Sequence, residues 1–561
     1  MQKLYTTAGE TLAGIPWNTY PRPQMVRKDW LCLNGRWDFQ YGKIRTEIEV
    51  PFCPESLLSG LNLKMEYGRE MVYSKGFILP EEWRGKRILL HFGSVSRIAE
   101  ICVNGNKVIT HDESYLPFSA DVSDLIRAGK NEITVTAVND LSHSHLWGKQ
   151  KEKRGGMWYT PVSGVWQTVW MEPVPVHYIR DLTILTDRNT VEITADGAEN
   201  GTVELNGNRY PMDNGKVRIT VPDPVYWCPE NPHLYRFTAE TGTDRVESYF
   251  ALRTLSVERV NGKPRLCLNG KPYFFHGLLD QGYWSDGLYT PASPECYADD
   301  IRAMKALGFN MLRKHIKIEP EQFYYECDRL GMVVFQDMVN CGEYHYLRDT
   351  VLPAFGIGLR RKDSLLNRNT EARENFLNMM DSTVRLLRNH PSICLWTIFN
   401  EGWGQFNADE AYTRLKALDG TRFVDSTSGW YTRNLSDVES LHIYFRPLRA
   451  GEQDRPLFLS EFGGWSLKYP DHSFNLEKTY GYRKYKERES FVRDLRALYL
   501  EQVLPLIPQG LCAAVYTQVS DVEDETNGLL TFDRKAAKVL PEEFRSVSDR
   551  LLSALQEDEN E

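Results

Sequence analysis

The sequence predicts three domains in series: a jelly-roll β-sandwich over residues 1–176, an immunoglobulin-like β-sandwich over 177–260 and a (β/α)8 TIM barrel over 261–561. Its 561 residues suffice for three to four domains of roughly 150 residues each. Short runs of alternating apolar and polar residues fill the first half, which is typical of sandwiches. After Leu266, apolar strands instead alternate with helical apolar periods, which is typical of repeated β/α units.

Both sandwiches are indicated by period-two alternation. In the first, residues 86–92, 98–103 and 131–138 alternate, and the pair Asn104-Gly105 predicts a tight hairpin, since both residue types tolerate a positive φ. The second holds four further candidate strands and no helical period within about 80 residues, the size of an immunoglobulin-like sandwich.

Eight apolar runs predict the strands of the barrel, because eight parallel strands in about 290 residues match its count and size. A doubly wound open sheet is the alternative, but no Gly-x-Gly-x-x-Gly or phosphate-binding loop follows an early strand. Helices are expected at residues 295–307, 320–330 and 374–388. The predicted strands are residues 273–279, 311–313, 332–336, 394–399, 422–426, 440–445, 457–460 and 512–517.

Composition argues against several classes of function. Lys and Arg number 67 against 76 Asp and Glu, and the net charge of −9 argues against a nucleic acid partner. The ten cysteines form no Cys-x-x-Cys pair and the histidines show no His-Glu-x-x-His spacing, so we expect neither a metal nor a cofactor. The sequence has no signal-peptide core and no apolar run long enough for a transmembrane helix, so we expect a cytoplasmic protein without a membrane partner.

Two glutamates occupy positions where a barrel enzyme carries its chemistry, the C-terminal ends of the strands. Glu401 follows the fourth predicted strand, directly after Asn400, and Glu461 follows the seventh. One such glutamate alone is more often a salt-bridge partner or a helix cap. Two facing carboxylates, however, are what hydrolysis of a glycosidic bond requires: one protonates the leaving oxygen, and the other attacks or activates water.

Further side chains near the strand ends are candidates for contacts with a sugar. Trp430 and Trp465 can stack on the C–H face of a sugar ring, although an ordinary packing role stays open for each. The candidates for contacts with sugar hydroxyls are His276, Asp280, His442 and Tyr516.

Several segments in a fixed order resemble one family. IPWNTYPRP and LNGRWDFQYG lie near the start, GGMWYTPVSGVWQTVWMEP ends the first sandwich, and FFHGLLDQGYWSDG opens the barrel. The most specific segments are NHPSICLWTIFNEGWGQF around Glu401 and PLFLSEFGG around Glu461. Over residues 15–538 the chain thereby resembles glycoside hydrolase family 2, which holds β-galactosidases, β-glucuronidases and β-mannosidases.

The resemblance implies a retaining double displacement with Glu401 as acid/base and Glu461 as nucleophile. Glu401 would start protonated and Glu461 ionised. Once Glu461 becomes a glycosyl ester its charge disappears, so Glu401 can then act as a base toward water. Asn400 is implied to bind the sugar 2-hydroxyl, a contact that strengthens in the transition state.

The resemblance also implies two partners for the nucleophile. Tyr444, past strand six, would lie beside it, although an aromatic wall is an equally open role, and Arg313, past strand two, would hold its carboxylate. Many family members carry Arg-x-x-His after strand two. This chain has His315 one residue closer to Arg313, which leaves the role of His315 open among the substrate-binding residues.

Two departures from the family bear on the identity of the sugar. The best-known β-galactosidases place an acidic residue just before the Met-Trp pair at residues 157–158, where this chain has two glycines. β-Glucuronidases hold the substrate carboxylate with an Asn-x-Lys pair before the glycine that matches Gly528. Here Glu525 lies in that stretch, and it would repel a carboxylate. We therefore expect a neutral sugar.

These observations predict a retaining exo-β-glycosidase that hydrolyses terminal, non-reducing β-linked sugars, with β-galactosidase-type activity on a neutral hexose as the main expectation. A β-glucuronidase, another β-uronidase or a β-mannosidase is the alternative within the family. A non-catalytic carbohydrate-binding protein is the alternative outside it. The expected partner is a small carbohydrate or glycoside, and a homo-oligomer stays open.

Overall fold

The computed structural model describes residues 1–354, 363–444, 447–449 and 454–560 of the chain. Within these ranges two antiparallel sandwiches precede a parallel barrel, so the fold class is the one that the sequence predicts. Phe445, at the end of the predicted sixth barrel strand, lies outside the described residues. No helix in the described ranges is both long and apolar enough to cross a membrane.

The first domain is a sandwich whose strands bury every second side chain. A six-stranded sheet with the order β3-β2-β4-β10-β7-β8 packs with a four-stranded sheet, β1-β12-β5-β9, and β6 pairs with β11. In β2 the alternation buries Trp37 and Phe39 in the core between the sheets. Asn104 and Gly105, with φ of 52° and 80°, form the predicted hairpin between β7 and β8. The strands are β1 (Leu31–Cys32), β2 (Gly35–Tyr41), β3 (Ile44–Val50), β4 (Glu70–Ile78), β5 (Arg87–Phe92), β6 (Val95–Ser96), β7 (Ile98–Val103), β8 (Asn106–Asp112), β9 (Phe118–Asp121), β10 (Lys130–Val138), β11 (Gly164–Val165) and β12 (Val169–Val174).

The second domain is a smaller sandwich of a three-stranded sheet, β13-β14-β17, and a four-stranded sheet, β16-β15-β18-β19. Val191 and Ile193 of β14 face Phe237 of β18 in its core. Its strands are β13 (Asp181–Asp187), β14 (Thr190–Asp196), β15 (Gly201–Leu205), β16 (Asn208–Pro211), β17 (Lys216–Thr220), β18 (Tyr235–Thr241) and β19 (Asp244–Phe250). An antiparallel unit then leads to the barrel: β20 (Leu255–Val260), β21 (Lys263–Leu268) and β22 (Lys271–Pro272).

The barrel consists of eight parallel strands, all of which the sequence predicts to within a few residues. Their order is β27-β26-β25-β24-β23-β32-β29-β28, and a hydrogen bond of 3.2 Å between Ser428 and Ser440 links β27 to β28. The strands are β23 (Phe275–Asp280), β24 (Met311–Lys314), β25 (Val333–Asp337), β26 (Ile393–Asn400), β27 (Phe423–Ser428), β28 (Glu439–Ile443), β29 (Leu457–Gly463) and β32 (Leu511–Thr517). Two short strands, β30 (Ser466–Leu467) and β31 (Lys484–Tyr485), pair beside the mouth.

Helices cover the outside of the barrel. Asn369 caps α5 by accepting a hydrogen bond from the backbone of Ala372, and Gly331 ends α3 in the left-handed conformation that favours glycine. The helices are α1 (Thr7–Glu10), α2 (Glu295–Ala306), α3 (Glu321–Leu330), α4 (Leu352–Ala354), α5 (Thr370–Leu387), α6 (Ala408–Leu418), α7 (Arg488–Leu498) and α8 (Pro541–Asn560).

Alternate side chains of each barrel strand point to the axis and to the helices. In β23, Phe275 and Leu279 lie in the interior cluster, whereas Leu278 packs outward. In β32, Val515 points inward and Tyr516 outward. This alternation decides which strand-end residues can reach the mouth.

Candidate active site

The end of β26 brings Glu401 to the mouth of the barrel. Asn400 is the last residue of the strand, and Glu401 then adopts the left-handed conformation with φ of 50°. Such a backbone is uncommon for a residue other than glycine and is a feature that clusters at functional sites. Gly402 follows with φ of 73°, and a Cβ there would lie 2.4 Å from the ring of Tyr431, so this position requires glycine.

Glu401 and Glu461 form a close pair bridged by His442. One oxygen of each carboxyl group and a ring nitrogen of His442 all lie within 4.8 Å of one another. A separation of about 5–5.5 Å between carboxyl groups is characteristic of retaining glycosidases. His442 Nδ1 lies 2.8 Å from Oε1 of Glu401 and 3.5 Å from Oε2 of Glu461. No described residue donates a hydrogen bond to Oε2 of Glu401, so this oxygen is free of partners from that part of the chain.

Both oxygens of Glu461 accept a hydrogen bond. Arg313 donates to Oε1 across 3.1 Å, and the hydroxyl of Tyr444 donates to Oε2 across 2.6 Å. Burial disfavours the charge of Glu461, but His442 and Arg313 outweigh it and lower the pKa of this carboxyl to about 2. Burial and the charge of Glu461 raise the pKa of Tyr444 well above its ordinary value, so Tyr444 keeps its proton and remains a donor.

Asp337 orients two side chains beside Glu461, the guanidinium of Arg313 and the imidazole of His315. Arg313 is fully buried and donates from Nε to Asp337 across 2.9 Å and from a terminal nitrogen to Oδ1 of Asn400 across 2.9 Å. The other oxygen of Asp337 lies 2.8 Å from Nδ1 of His315. Burial and the nearby ammonium of Lys149 lower the pKa of His315 to about 4, so its ring is neutral at neutral pH. Sequence reasoning missed Asp337, although it ends β25 and the strand-end rule applies to it.

Two tryptophans near the carboxylates hold buried donors without a partner. The half-buried ring of Trp430 lies 5.7 Å from that of His442. Within the described residues, Nε1 of Trp430 and Nε1 of Trp403 have no hydrogen-bond partner. Buried donors are usually satisfied, so these two are suited to bind a polar ligand or ordered water. The candidate role of Trp430 at the site is consistent with this position.

Three of the candidate hydroxyl contacts face away from the mouth, because the alternation of the strands turns them outward. Tyr516 is fully buried against Phe462 and Tyr499 outside the barrel, and its inward neighbour Thr517 contacts Tyr444 instead. The structure therefore does not support the expected substrate contact for Tyr516.

Asp280 and His276 of β23 share this outward orientation. Asp280 binds the ammonium of Lys314 across 2.6 Å. His276 lies 3.1 Å from the hydroxyl of Ser548 on α8, at the opposite side of its strand from the interior, and burial lowers its pKa to about 3. Neither residue contacts the carboxylate pair among the described interactions, so the structure does not support the predicted sugar contacts.

Trp465 also lies away from the pair. Its half-buried ring packs 5.8 Å from that of Tyr485, and the guanidinium of Arg483 lies over it at 5.2 Å. This is the packing role that the sequence left open. The aromatic ring that does lie beside the nucleophile's partner is Tyr482, which stacks on Tyr444 at 3.9 Å.

Glu525, from which the sequence argues for a neutral sugar, is buried near the site. It accepts hydrogen bonds from Tyr159 across 2.9 Å and from Gln518 across 2.7 Å. Burial raises the pKa of Glu525, and Lys149 opposes that shift. Tyr159 and Lys149 both belong to the first domain, so this part of the site is shared between two domains.

The side chains of Glu401, His442 and Glu461 are also of the types that bind metal ions. In this structure the positive charge next to Oε1 of Glu461 comes from Arg313, and Oε2 accepts a hydrogen bond from the hydroxyl of Tyr444. The arrangement therefore supplies an ionised carboxylate and a second carboxyl group at the distance that a double displacement uses.

Three family models together match most of the chain. They are the glycosyl hydrolases family 2 sugar binding domain at residues 27–175, glycosyl hydrolases family 2 at 178–253 and the family 2 TIM barrel domain at 259–458. These matches follow the three domains of the structure in order.

Several proteins are similar to the chain. β-Glucuronidase of Homo sapiens is 26% identical over 410 residues, which cover 64% of this chain and 59% of that enzyme. β-Glucuronidase of Chlorocebus aethiops is 26% identical over 406 residues, which cover 63% of this chain and 58% of that enzyme. The chain thus matches less than two thirds of the length of these relatives.

Solved structures share the fold over nearly the whole chain. The β-D-glucuronidase of Dictyoglomus thermophilum matches with a TM-score of 0.74 and 18% identity, covering 95% of this chain and 98% of that one. The Bifidobacterium dentium β-glucuronidase complexed with coumarin-3-O-glucuronide matches with a TM-score of 0.72 and 18% identity, covering 94% and 98%. The three family models, which together match most of the chain, show that it belongs to glycosyl hydrolase family 2.

Proposed function

We propose that the protein is a retaining exo-β-glycosidase that removes a terminal β-linked uronic acid, with β-D-glucuronides as its substrates. The main support for the proposed hydrolytic activity is the short distance between the carboxyl groups of Glu401 and Glu461. The two carboxyl groups are close enough for double displacement, and they differ in environment, since of the two glutamates only Glu461 accepts hydrogen bonds from Arg313 and Tyr444.

The proposed reaction uses these differences. Glu461 is ionised and attacks the anomeric carbon, while a proton on Glu401 passes to the oxygen of the leaving group. The glycosyl ester neutralises Glu461, and Glu401 then removes a proton from the attacking water. Oδ1 of Asn400 accepts a hydrogen bond from Arg313, so the amide hydrogens of Asn400 remain available to bind the sugar 2-hydroxyl.

The names of the relatives support a uronic acid as the sugar. The relatives and solved structures named above are called β-glucuronidases, so their names support the β-glucuronidase alternative rather than the β-galactosidase on a neutral hexose. The argument for a neutral sugar depended on Glu525. Its carboxyl group is already engaged by Tyr159 and Gln518, and its charge is opposed by Lys149.

A panel of nitrophenyl β-glycosides tests this function. The panel holds the glucuronide, galacturonide, galactoside, glucoside and mannoside, and the Glu461→Gln variant serves as the control. We expect the highest kcat/KM on the glucuronide, with NMR showing that the β-anomer is released first. Preference for the galactoside would overturn the proposed sugar. No release above the control on any sugar would instead favour a carbohydrate-binding protein.

A further inference from the structure

A loop of the first domain reaches the mouth of the barrel. This loop, residues 139–163, connects β10 to β11. Trp147 donates from its backbone to Asn340 across 3.2 Å and from its indole to the carbonyl of Gly342 across 3.0 Å, and both acceptors follow β25. Tyr159, near the other end of the loop, donates to Glu525 across 2.9 Å. The loop is therefore held on the barrel from both of its ends.

Between these anchors, Lys149 brings its ammonium group near Glu461 and Glu525. The residue is only 8% exposed, and its Nζ lies 5.8 Å from the ring centres of both Trp403 and Tyr159. Trp403 is two residues from Glu401. Lys149 is also close enough to Glu461 and Glu525 to lower the pKa of both carboxyl groups, against the effect of burial.

The ammonium of Lys149 has neither a hydrogen bond nor an ion pair with any of the described residues. Two lysines of the barrel, each 1% exposed, provide the contrast. Lys314 binds Asp280 across 2.6 Å, and Lys317 binds Glu319 across 2.8 Å. Arg313, also fully buried, is paired with both Asp337 and Glu461.

A sugar that enters the mouth removes water from the ammonium of Lys149, and this desolvation costs several kcal/mol unless an anion in hydrogen-bond contact offsets it. The aromatic faces of Trp403 and Tyr159 compensate only in part, since a cation over a ring gains about 0.5–2 kcal/mol. A ligand that carries a carboxylate into the mouth would complete the coordination of Lys149. A neutral sugar would leave the charge without a partner.

We propose that Lys149 binds the carboxylate of the terminal uronic acid and is the residue that selects an acidic over a neutral sugar. This inference rests on the proposed glucuronidase function. It assigns bond cleavage to the barrel and recognition of the acidic substituent to the N-terminal sandwich. A different role for Lys149, holding Glu461 in its ionised form, would act on every sugar alike, and this difference makes the two roles separable.

The test compares two substrates that differ only at C6, nitrophenyl β-D-glucuronide and nitrophenyl β-D-glucoside. For Lys149→Met we expect kcat/KM on the glucuronide to fall by about 10²-fold or more, because one partner of a buried charge pair is lost. On the glucoside we expect no loss. The matched control is Lys153→Met, which removes an exposed lysine of the same loop and should leave the ratio of the two substrates unchanged.

An equal loss on both substrates would overturn the inference in favour of a role toward Glu461, and an unchanged kcat/KM on both substrates would overturn it outright. Should Lys149→Met fail to fold, Lys149→Arg keeps the charge and Lys149→Gln removes it with less change of shape. The preference for the glucuronide should persist in Lys149→Arg and vanish in Lys149→Gln. A wild-type protein that cleaves only neutral glycosides would overturn the proposed function itself, whereas a glucuronidase that keeps its preference without Lys149 would overturn only this inference.

Discussion

The phenol of Tyr444 donates a hydrogen bond of 2.6 Å to Oε2 of Glu461, the oxygen that Arg313 does not contact. The donor matters most when Glu461 departs from the sugar as a carboxylate in the second half of the reaction, because negative charge then develops on the two oxygens. The stacking of Tyr482 on Tyr444 fixes the direction of the phenol.

Replacing Tyr444 by Phe should therefore slow the second step. We expect kcat to fall by about 10- to 100-fold, as the loss of one buried charge-assisted hydrogen bond predicts. The glycosyl-enzyme should accumulate, and mass spectrometry of the quenched protein would detect it on the peptide that contains Glu461. Tyr499→Phe is the control, since it removes a buried hydroxyl without a described partner outside the barrel. An unchanged kcat for Tyr444→Phe would assign this ring to a wall of the site only.

Asp337→Asn should disturb both side chains that this carboxylate orients. Arg313 and His315 each lose a hydrogen-bonded charge, and breaking a buried ion pair costs about 3–5 kcal/mol. We expect kcat/KM to fall by at least about 10-fold and the thermal midpoint to drop. Asp381→Asn, which breaks the more exposed pair with Arg414, should change both quantities little. Full activity of Asp337→Asn would show that Arg313 holds its place without this partner.

Acid should destabilise the protein through His276. Burial lowers its pKa from 6.5 to about 3, so the unfolded chain binds a proton in that interval and the folded chain does not. The stability associated with the neutral ring is thus complete above pH 6.5 and declines as the pH falls toward 3, by about 1.4 kcal/mol per unit.

Replacing His276 by Gln should flatten this dependence. Urea unfolding between pH 7.5 and pH 5 should show a loss of stability that is about 2 kcal/mol larger in the wild type than in the variant, although the variant is less stable at pH 7.5. His177→Gln, on the surface, should follow the wild type. Parallel curves for the wild type and His276→Gln would contradict a neutral His276.

Removing the carboxyl group of Glu461 should convert hydrolysis into synthesis. In Glu461→Gly the nucleophile is absent, so a glycosyl fluoride of the α configuration can occupy the site as a mimic of the glycosyl ester. Glu401 can then activate an acceptor alcohol. We expect hydrolysis to fall by more than about 10³-fold and transfer products to form. Hydrolysis at the wild-type rate would exclude Glu461 as the nucleophile.

Much of the fold follows from local patterns in the sequence. The period-two runs of the sandwiches and the alternating strands and helices of the barrel are set by the side chains themselves, and all eight barrel strands are predicted. The pair of Glu401 and Glu461 is also predicted, since position at a strand end is readable from one chain. The outward orientation of Tyr516 is not predicted. Position at a strand end does not say which face of the sheet a side chain occupies, and an error of one residue reverses the face.

Other parts of the site have no local signal. Lys149 lies in a loop of the first sandwich, and nothing near it in sequence indicates that it would meet residues more than 250 positions away. Because the sequence does not reveal that Lys149 lies nearby, the expectation of a neutral sugar depended on the charge of Glu525 alone. The charge that opposes Glu525 comes from another domain, and only the packing of the two domains brings them together.

The loop that carries Trp147, Lys149 and Tyr159 also forms one wall of the mouth. An excised barrel would keep both carboxyl groups yet lose this wall, and it would expose the indole of Trp403 to water. The same separation of the loop from the carboxyl pair matters for the evolution of specificity. With recognition of the carboxylate proposed for Lys149, a mutation in this loop changes the preferred sugar while the carboxyl pair of the barrel stays intact, so a new specificity does not require passage through an inactive enzyme.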